Sequence, residues 1–143
     1  MTIKKFGTAH WEGSIKEGKG TVSTESGALS AQPYGFNTRF EGVAGTNPEE
    51  LIGASHAACF AMALSGILGG AGLTATALDT KSVISLEKQA EGFAVTAAHL
   101  TLTATIPGIT EDQFQELAAK AKAGCPISKL LKAEITLEAT LKA

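Results

Sequence analysis

Apolar and polar positions divide this chain into one long uncharged segment and flanking segments that alternate. No Asp, Glu, Lys or Arg occurs in the 28 positions from Leu51 to Leu78. Ahead of them, Asn47 is a favourable N-cap, Pro48 suits the first helical position, and two glutamates complement the helix dipole. We therefore predict a helix from Pro48 to about Leu68, ended by a run of glycines and buried on all sides.

Alternation before this helix predicts a small antiparallel sheet. Residues 2–12 and 18–25 are typical of two strands joined by a glycine-containing turn, and a short third strand is predicted near residues 28–31. Residues 32–46 contain glycines, a proline and polar side chains, which predict a long irregular connection. Loops of this length often carry functional groups.

The segments after the helix predict a second group of strands and a second helix. Residues 81–89 and 93–106 alternate, and the sequence Ala90-Glu91-Gly92 between them predicts a hairpin; residues 135–141 alternate as a last strand. Thr110 is a favourable N-cap for a helix over residues 111–123, and a short helical turn is expected after Cys125. The apolar stripe of the 111–123 helix is predicted to lie in the core and consists of Phe114, Leu117, Ala118 and Ala121.

Length and composition fit one globular α+β domain over residues 1–143. With 44% hydrophobic and 18% charged residues, the chain can bury a core unaided. Its net charge of -2 leaves no basic surplus to neutralise phosphates, so nucleic acid is not expected as a partner. Residues 1–12 lack the apolar core of a signal peptide, and we expect a cytoplasmic protein.

The uncharged segment is also long enough to span a bilayer. It contains Ser55, His56, Ser65 and several glycines, however, and no flanking Lys or Arg orients it. We therefore expect a helix within a folded core and no membrane association.

Two cysteines, Cys59 in the uncharged segment and Cys125 far along the chain, are the candidate reactive groups. In a reducing compartment they are either inert thiols of the core or partners in a transient bond. Only a thiolate attacks a peroxide or a disulfide, and a neighbouring cation favours it. The only arginine, Arg39, is the candidate cation because a guanidinium stays charged in apolar surroundings. The alternative is a surface arginine in a loop.

Helix positions indicate which carboxylate would hold Arg39. With Asn47 as N-cap, Glu50 is the third helical residue and can fold back on the amide of the cap, as in a capping box. Glu49 is then free to reach Arg39, and its place at the helix N-terminus keeps it ionised. We predict the Arg39–Glu49 pair, with Glu50 as the alternative.

His56 precedes Cys59 by three residues on the same helix, which raises the roles of base or metal ligand. A zinc site needs four ligands, and the other histidines, His10 and His99, stand at no recognised spacing. We expect a hydrogen-bonded helix residue and no metal. Cys125, between an apparent helix end and a proline, suits a resolving thiol that would condense with a sulfenic acid on Cys59.

Two segments, NPEELIGASHAACF from Asn47 and GCPISK from Gly124, resemble the OsmC/Ohr family of osmotically inducible and organic hydroperoxide resistance proteins. The resemblance covers essentially the whole chain, and Arg39 directly before the helix resembles the OsmC branch. It implies an α+β fold with antiparallel sheets around a long buried central helix. It also implies an intertwined homodimer and no bound cofactor.

For function, the resemblance implies a thiol peroxidase that reduces organic hydroperoxides in preference to hydrogen peroxide, in defence against oxidative and osmotic stress. Cys59 matches the peroxidatic cysteine and Cys125 the resolving cysteine of that family. Arg39 matches the activating arginine, and Glu49 matches the carboxylate that positions it. Family members are similar in drawing electrons from a dithiol such as dihydrolipoamide.

Proximity in sequence suggests an apolar substrate pocket beside the motif, formed by Phe36, Phe40, Phe60 and Met62. Two other functions stay open. One is a non-catalytic stress protein that binds an apolar ligand and merely buries its cysteines. The other is a thiol redox sensor that is oxidised without turnover.

Overall fold

The computed structural model describes residues 1–142 and divides the chain into two units, residues 1–51 and residues 52 onward. The first unit contains strands β1 (Gly7–Glu12), β2 (Lys19–Thr24) and β3 (Gln32–Tyr34) and the short helix α1 (Phe36–Phe40). The strands form an antiparallel sheet in the order β1-β2-β3. The single domain predicted over residues 1–143 stays a prediction.

The middle strand of this first sheet needs a glycine at its centre. Gly20 pairs with Trp11 on one side and with Tyr34 on the other, and these two rings approach each other to 5.6 Å between centroids. A Cβ atom at position 20 would lie 2.5 Å from the Tyr34 ring and 2.7 Å from the Trp11 ring. The absence of a side chain therefore lets the two rings pack together over β2.

The prediction for residues 28–46 was partly wrong. The third strand lies at Gln32–Tyr34 rather than near residues 28–31, and a short helix follows within the predicted irregular connection. The amides of Ala28 and Leu29 donate to side-chain oxygens instead of pairing in a sheet. Ala28 donates to Ser26 Oγ at 3.2 Å, and Leu29 donates to Thr24 Oγ1 at 3.0 Å. Such local bonds compete with strand pairing, and they hold residues 24–29 in a turn.

Helix α2 (Pro48–Gly70) begins in the first unit and continues into the second. The second unit further contains β4 (Ala77–Gln89), β5 (Gly92–Thr105), α3 (Glu111–Gly124), α4 (Pro126–Leu130) and β6 (Glu134–Leu141). The predicted hairpin is confirmed, since β4 and β5 pair antiparallel. β6 pairs with β5 in parallel, so the expectation of antiparallel sheets does not hold for this strand. The connection through α3 and α4 is the helical crossover that a parallel pair requires.

The core of the second unit joins one face of α2 to β5 and α3. Phe60, Leu64 and Leu68 recur every four residues along α2 and are fully buried, as helical periodicity requires. Thr110 Oγ1 accepts from the Gln113 amide at the start of α3, as its N-cap role predicts. The apolar stripe predicted for α3 is confirmed in the core: Phe114, Leu117, Ala118 and Ala121.

Helix α2 is buried along one face in this chain, not on all sides. Ala54, Ala58 and Met62 on the other face are exposed, Met62 by 78%. By length and composition α2 is long and apolar enough to cross a bilayer. The buried stripe that it contributes to the core supports the expectation of a helix in a folded unit.

Candidate active site

The two cysteines meet in the second unit. Cys59 lies on α2, and Cys125 lies at the junction of α3 and α4, 66 residues further along the chain. Their Sγ atoms are 2.8 Å apart and both thiols are free. Cys125 has no exposed surface, whereas Cys59 is half-buried. The fold thus brings together the two groups that a transient disulfide needs, with Cys59 on the accessible side.

Local backbone structure fixes the position of Cys125. Its amide donates to Ala121 O at 2.9 Å and ends α3, while its carbonyl accepts from the Lys129 amide at 3.1 Å and begins α4. Pro126 occupies the first turn of α4, where its missing N–H costs no hydrogen bond. The GCP sequence therefore turns the chain sharply and leaves the cysteine side chain in the interior.

The surroundings of the two thiols shift their pKa values in opposite directions. Burial and the contact with Cys125 raise the pKa of Cys59, because both disfavour its thiolate. Burial also acts to raise the pKa of Cys125, but hydrogen bonds from Cys59 and from the amide and hydroxyl of Ser128 outweigh it and lower that pKa. Within the second unit, negative charge is therefore favoured on Cys125 over Cys59.

Arg39 and Glu49 form an ion pair within the first unit. Arg39 Nη2 donates to Glu49 Oε1 at 2.7 Å and Arg39 Nε donates to Oε2 at 3.1 Å, so the pair is bidentate. The Arg39 side chain is 36% exposed and that of Glu49 13%. Two bonds fix the plane of the guanidinium relative to the carboxylate.

Glu50 has the structural task that its helix position predicts. Its amide donates to Asn47 Oδ1 at 2.8 Å, and its carboxylate accepts from Asn47 Nδ2 rather than from the amide of the cap. The carboxylate that contacts Arg39 is thus Glu49, the residue preferred from the sequence. The capping bonds occupy Glu50 and separate the roles of two adjacent acidic residues.

The residues predicted to line a substrate pocket have different environments. In the first unit, the rings of Phe36 and Phe40 lie 4.9 Å apart, and Arg39 Cζ lies 5.3 Å from the Phe40 ring centroid. Phe60 is fully buried in the core of the second unit, and Met62 is exposed. Phe60 is therefore a packing residue in this chain, because contact with a substrate would require the core to open.

His56 is buried and hydrogen-bonded through both ring nitrogens, as expected for a structural helix residue. Nδ1 lies 2.8 Å from Ser82 Oγ on β4, and Nε2 lies 2.9 Å from Ser128 Oγ on α4. Burial lowers the pKa of the imidazole, which favours its neutral form. Among residues 1–142, no group of three or more His, Cys, Asp or Glu side chains is arranged to hold a metal ion.

Sequence reasoning missed Ser82 and Ser128. Ser128 stood inside the GCPISK segment, three residues after Cys125, but no spacing rule joins it to a histidine 72 residues earlier. Ser82 carried no signal, because a serine in an alternating strand is ordinary. Only the packing of β4 and α4 against α2 reveals this cluster.

These features define an α+β protein with a pair of juxtaposed thiols and a separate arginine–carboxylate pair. A family model described as OsmC-like protein matches residues 40–140. The chain belongs to the OsmC family.

Similar proteins cover the chain from end to end. Peroxiredoxin OsmC of Escherichia coli strain K12 is 63% identical over 142 residues, which cover 99% of each chain. Organic hydroperoxide resistance protein OhrB of Bacillus subtilis strain 168 is 29% identical over 86% of this chain and 89% of its own. Among solved structures, an organic hydroperoxide resistance protein OsmC from Legionella pneumophila aligns with a TM-score of 0.71 at 26% identity, covering 100% of this chain and 99% of its own.

Proposed function

We propose that this protein is a cysteine-based peroxidase that reduces organic hydroperoxides to alcohols in the defence against oxidative and osmotic stress. The observation that carries the proposal is the 2.8 Å separation of the Cys59 and Cys125 sulfurs. The names of its relatives, a peroxiredoxin and organic hydroperoxide resistance proteins, support an antioxidant oxidoreductase. Neither an inert pair of buried thiols nor a binding protein requires this juxtaposition.

Cys59 is the attacking thiolate in the proposed reaction. Its sulfur attacks one oxygen of the hydroperoxide O–O bond, the bond breaks, and the other oxygen leaves with the alkyl group as an alcohol after taking up a proton. Cys59 is then a sulfenic acid. The Cys125 thiolate attacks this sulfur, water leaves, and a Cys59–Cys125 disulfide forms. A dithiol such as dihydrolipoamide reduces the disulfide and completes the cycle.

The difference in exposure between the thiols supports this order. A peroxide reaches the half-buried Cys59 before the fully buried Cys125. Because its surroundings raise the pKa of Cys59, the attacking thiolate needs a cation. We assign that task to the Arg39 guanidinium, which Glu49 orients through two hydrogen bonds. It would stabilise charge on the sulfur and on the departing oxygen.

The proposed preference for alkyl or lipid hydroperoxides rests on apolar side chains in each unit. Phe36 and Phe40 pack beside Arg39 in the first unit, and Met62 presents an exposed apolar side chain on α2. An apolar surface favours an alkyl group over the small polar hydrogen peroxide. Phe60 is assigned to the core and not to substrate contact.

Assembly as an intertwined homodimer is proposed on the exposed face of α2. Ala54, Ala58 and Met62 leave an apolar helical face uncovered in the single chain, and a second copy would bury it. Light scattering coupled to gel filtration measures the mass directly. A monomer at micromolar concentration would contradict this assembly.

A single-turnover experiment tests the function. Reduced protein is mixed with cumene hydroperoxide or with hydrogen peroxide, and free thiols and intact mass are followed in time. We expect both thiols to disappear with the loss of two hydrogens, faster with the organic peroxide, and dihydrolipoamide to restore them over repeated cycles. Unreactive thiols would instead indicate a protein that binds an apolar ligand. Oxidation that a dithiol cannot turn over would indicate a redox sensor.

A further inference from the structure

A chain of three polar side chains, in which His56 and Ser128 are buried and Ser82 is half-buried, ends on α4 three residues after Cys125 and has no part in the reaction described so far. Ser82 Oγ lies 2.8 Å from His56 Nδ1, and His56 Nε2 lies 2.9 Å from Ser128 Oγ. His56 has no exposed surface and Ser128 is 7% exposed. Buried polar groups must satisfy one another, so the hydrogens in this chain are constrained.

Counting these hydrogens gives two arrangements of the neutral imidazole, which has one N–H. If Nε2 carries it, Nε2 donates to Ser128 Oγ, and the Ser128 hydroxyl hydrogen is left to donate elsewhere. If Nδ1 carries it, Ser128 must give its hydrogen to Nε2. Ser128 can then only accept a hydrogen bond from a neighbouring group.

The position of the hydrogen on His56 affects Cys125 through Ser128. Ser128 is the third residue after Cys125, within the helix that Cys125 begins. The Ser128 hydroxyl and amide both favour the Cys125 thiolate and help to lower its pKa. Only the arrangement with hydrogen on Nε2 lets the hydroxyl donate to that sulfur. A charged Cys125 therefore matches one tautomer of His56, and a protonated Cys125 thiol matches the other.

We propose that His56 is a positioning residue for Cys125: by donating from Nε2 to Ser128, it orients the Ser128 hydroxyl toward the Cys125 sulfur and stabilises Cys125 as the leaving thiolate when the disulfide is reduced. The leaving-group role rests on the peroxidase function proposed above. The orientation of Ser128 by His56 does not depend on it.

In the proposed reduction of the Cys59–Cys125 disulfide, the dithiol supplies both attacking thiolates. A thiolate of the dithiol attacks Cys59 Sγ, because Cys125 is fully buried. The bond between the two protein sulfurs breaks, and its electron pair stays on Cys125 Sγ, which accepts the Ser128 hydrogen bond. The second thiol of the reductant, as a thiolate, attacks the mixed disulfide and releases Cys59. Exchange is faster when the leaving thiol has a lower pKa, so this hydrogen bond accelerates reduction.

The first test titrates Cys125 alone. In a Cys59→Ser background, the ultraviolet absorbance of the thiolate is followed against pH. Ser128→Ala and His56→Ala should each move the titration upward by about one pH unit, the size of one hydrogen bond to a charged group. His56→Gln should restore most of the shift, because its amide can donate to Ser128. His99→Gln is the matched control, since His99 also contacts a hydroxyl, that of Thr136, on the other side of β5.

The second test separates the two half-reactions by stopped flow. In an otherwise wild-type background, Ser128→Ala and His56→Ala should slow reduction of the disulfide by dihydrolipoamide about three- to tenfold. Oxidation of reduced Cys59 by cumene hydroperoxide should change less than about twofold, because that step precedes attack by Cys125.

The outcomes distinguish the inference from the function. Unchanged Cys125 titration in Ser128→Ala and His56→Ala, both folded by circular dichroism, would overturn the positioning role. Equal losses in both half-reactions, with no shift in the titration and no rescue by glutamine, would also overturn it and leave His56 a packing residue. Failure of the wild-type protein to react with any peroxide would overturn the peroxidase proposal, and the titration would still decide the role of His56.

Discussion

The thiol pair and the arginine pair of this protein are built in opposite ways. Cys59 and Cys125 meet in the interior of the second unit with sulfurs 2.8 Å apart, and burial is the first influence on both pKa values. Arg39 and Glu49 meet in the first unit at 2.7 Å, and Arg39 remains 36% exposed. Burial by itself raises the pKa of a thiol because it disfavours the thiolate, whereas a guanidinium stays charged even when it is buried. A buried thiol therefore depends on its surroundings to ionise, whereas the partly exposed arginine does not.

The largest effect is expected from removing one member of the thiol pair. Cys59→Ser should abolish peroxide turnover, because a serine hydroxyl is not ionised at neutral pH. Cys125→Ser should keep the first oxidation of Cys59 but accumulate sulfenic acid and then irreversible products. The oxidation products of both variants are identified by intact mass after one equivalent of cumene hydroperoxide. Full turnover by Cys59→Ser would assign the chemistry to another group.

The next largest effect is expected from the cation. Arg39→Lys keeps the charge but loses the planar guanidinium, so the rate of Cys59 oxidation should fall about 10²-fold. Arg39→Ala should fall at least as far. The rate of thiol loss under excess peroxide gives the measurement, and Lys4→Ala, an exposed cation of the first unit, is the control. Undiminished oxidation in Arg39→Lys would remove Arg39 from the mechanism.

A smaller effect on the rate of Cys59 oxidation is expected from Glu49, and almost none from the adjacent Glu50. Glu49→Gln should slow Cys59 oxidation about tenfold, because a neutral amide holds Arg39 less firmly. Glu50→Gln should leave that rate within about twofold and lower the free energy of unfolding by about 1 kcal/mol or less, because it weakens the cap of α2. The two variants are compared by the rate of Cys59 oxidation and by urea denaturation, measured on the same preparations. The reverse pattern would exchange the roles of these two residues.

The smallest effect is a dependence of stability on pH. Burial lowers the pKa of His56 below its ordinary value of 6.5, so below pH 6.5 the unfolded chain binds a proton that the folded protein excludes. The free energy of unfolding should be fully retained above pH 6.5. It should fall as the pH drops toward the folded pKa, with a slope of at most about 1.4 kcal/mol per pH unit. Urea denaturation between pH 5 and 8 measures it, and His56→Gln should flatten this part of the profile.

Prediction from the sequence was most accurate where the signal was local. The N-cap at Asn47, the N-cap at Thr110 and the apolar stripe of α3 each depend on residues within one or two helical turns. The position of β3 was missed because Ser26 and Thr24 capture amides of the preceding turn. The parallel pairing of β6 was missed because strand direction depends on the path of the whole crossover.

The sequence by itself determined most helices and strands of this protein and the residue types that we propose for its chemistry. Its uncharged helix, its acidic helix start, its single arginine and its two cysteines are consequences of composition and spacing. Only the tertiary structure decided that Cys59 and Cys125 touch, that Phe60 belongs to the core, and that Ser82 and Ser128 bracket His56. These contacts join residues tens of positions apart, and packing and burial, which no local pattern encodes, bring them together.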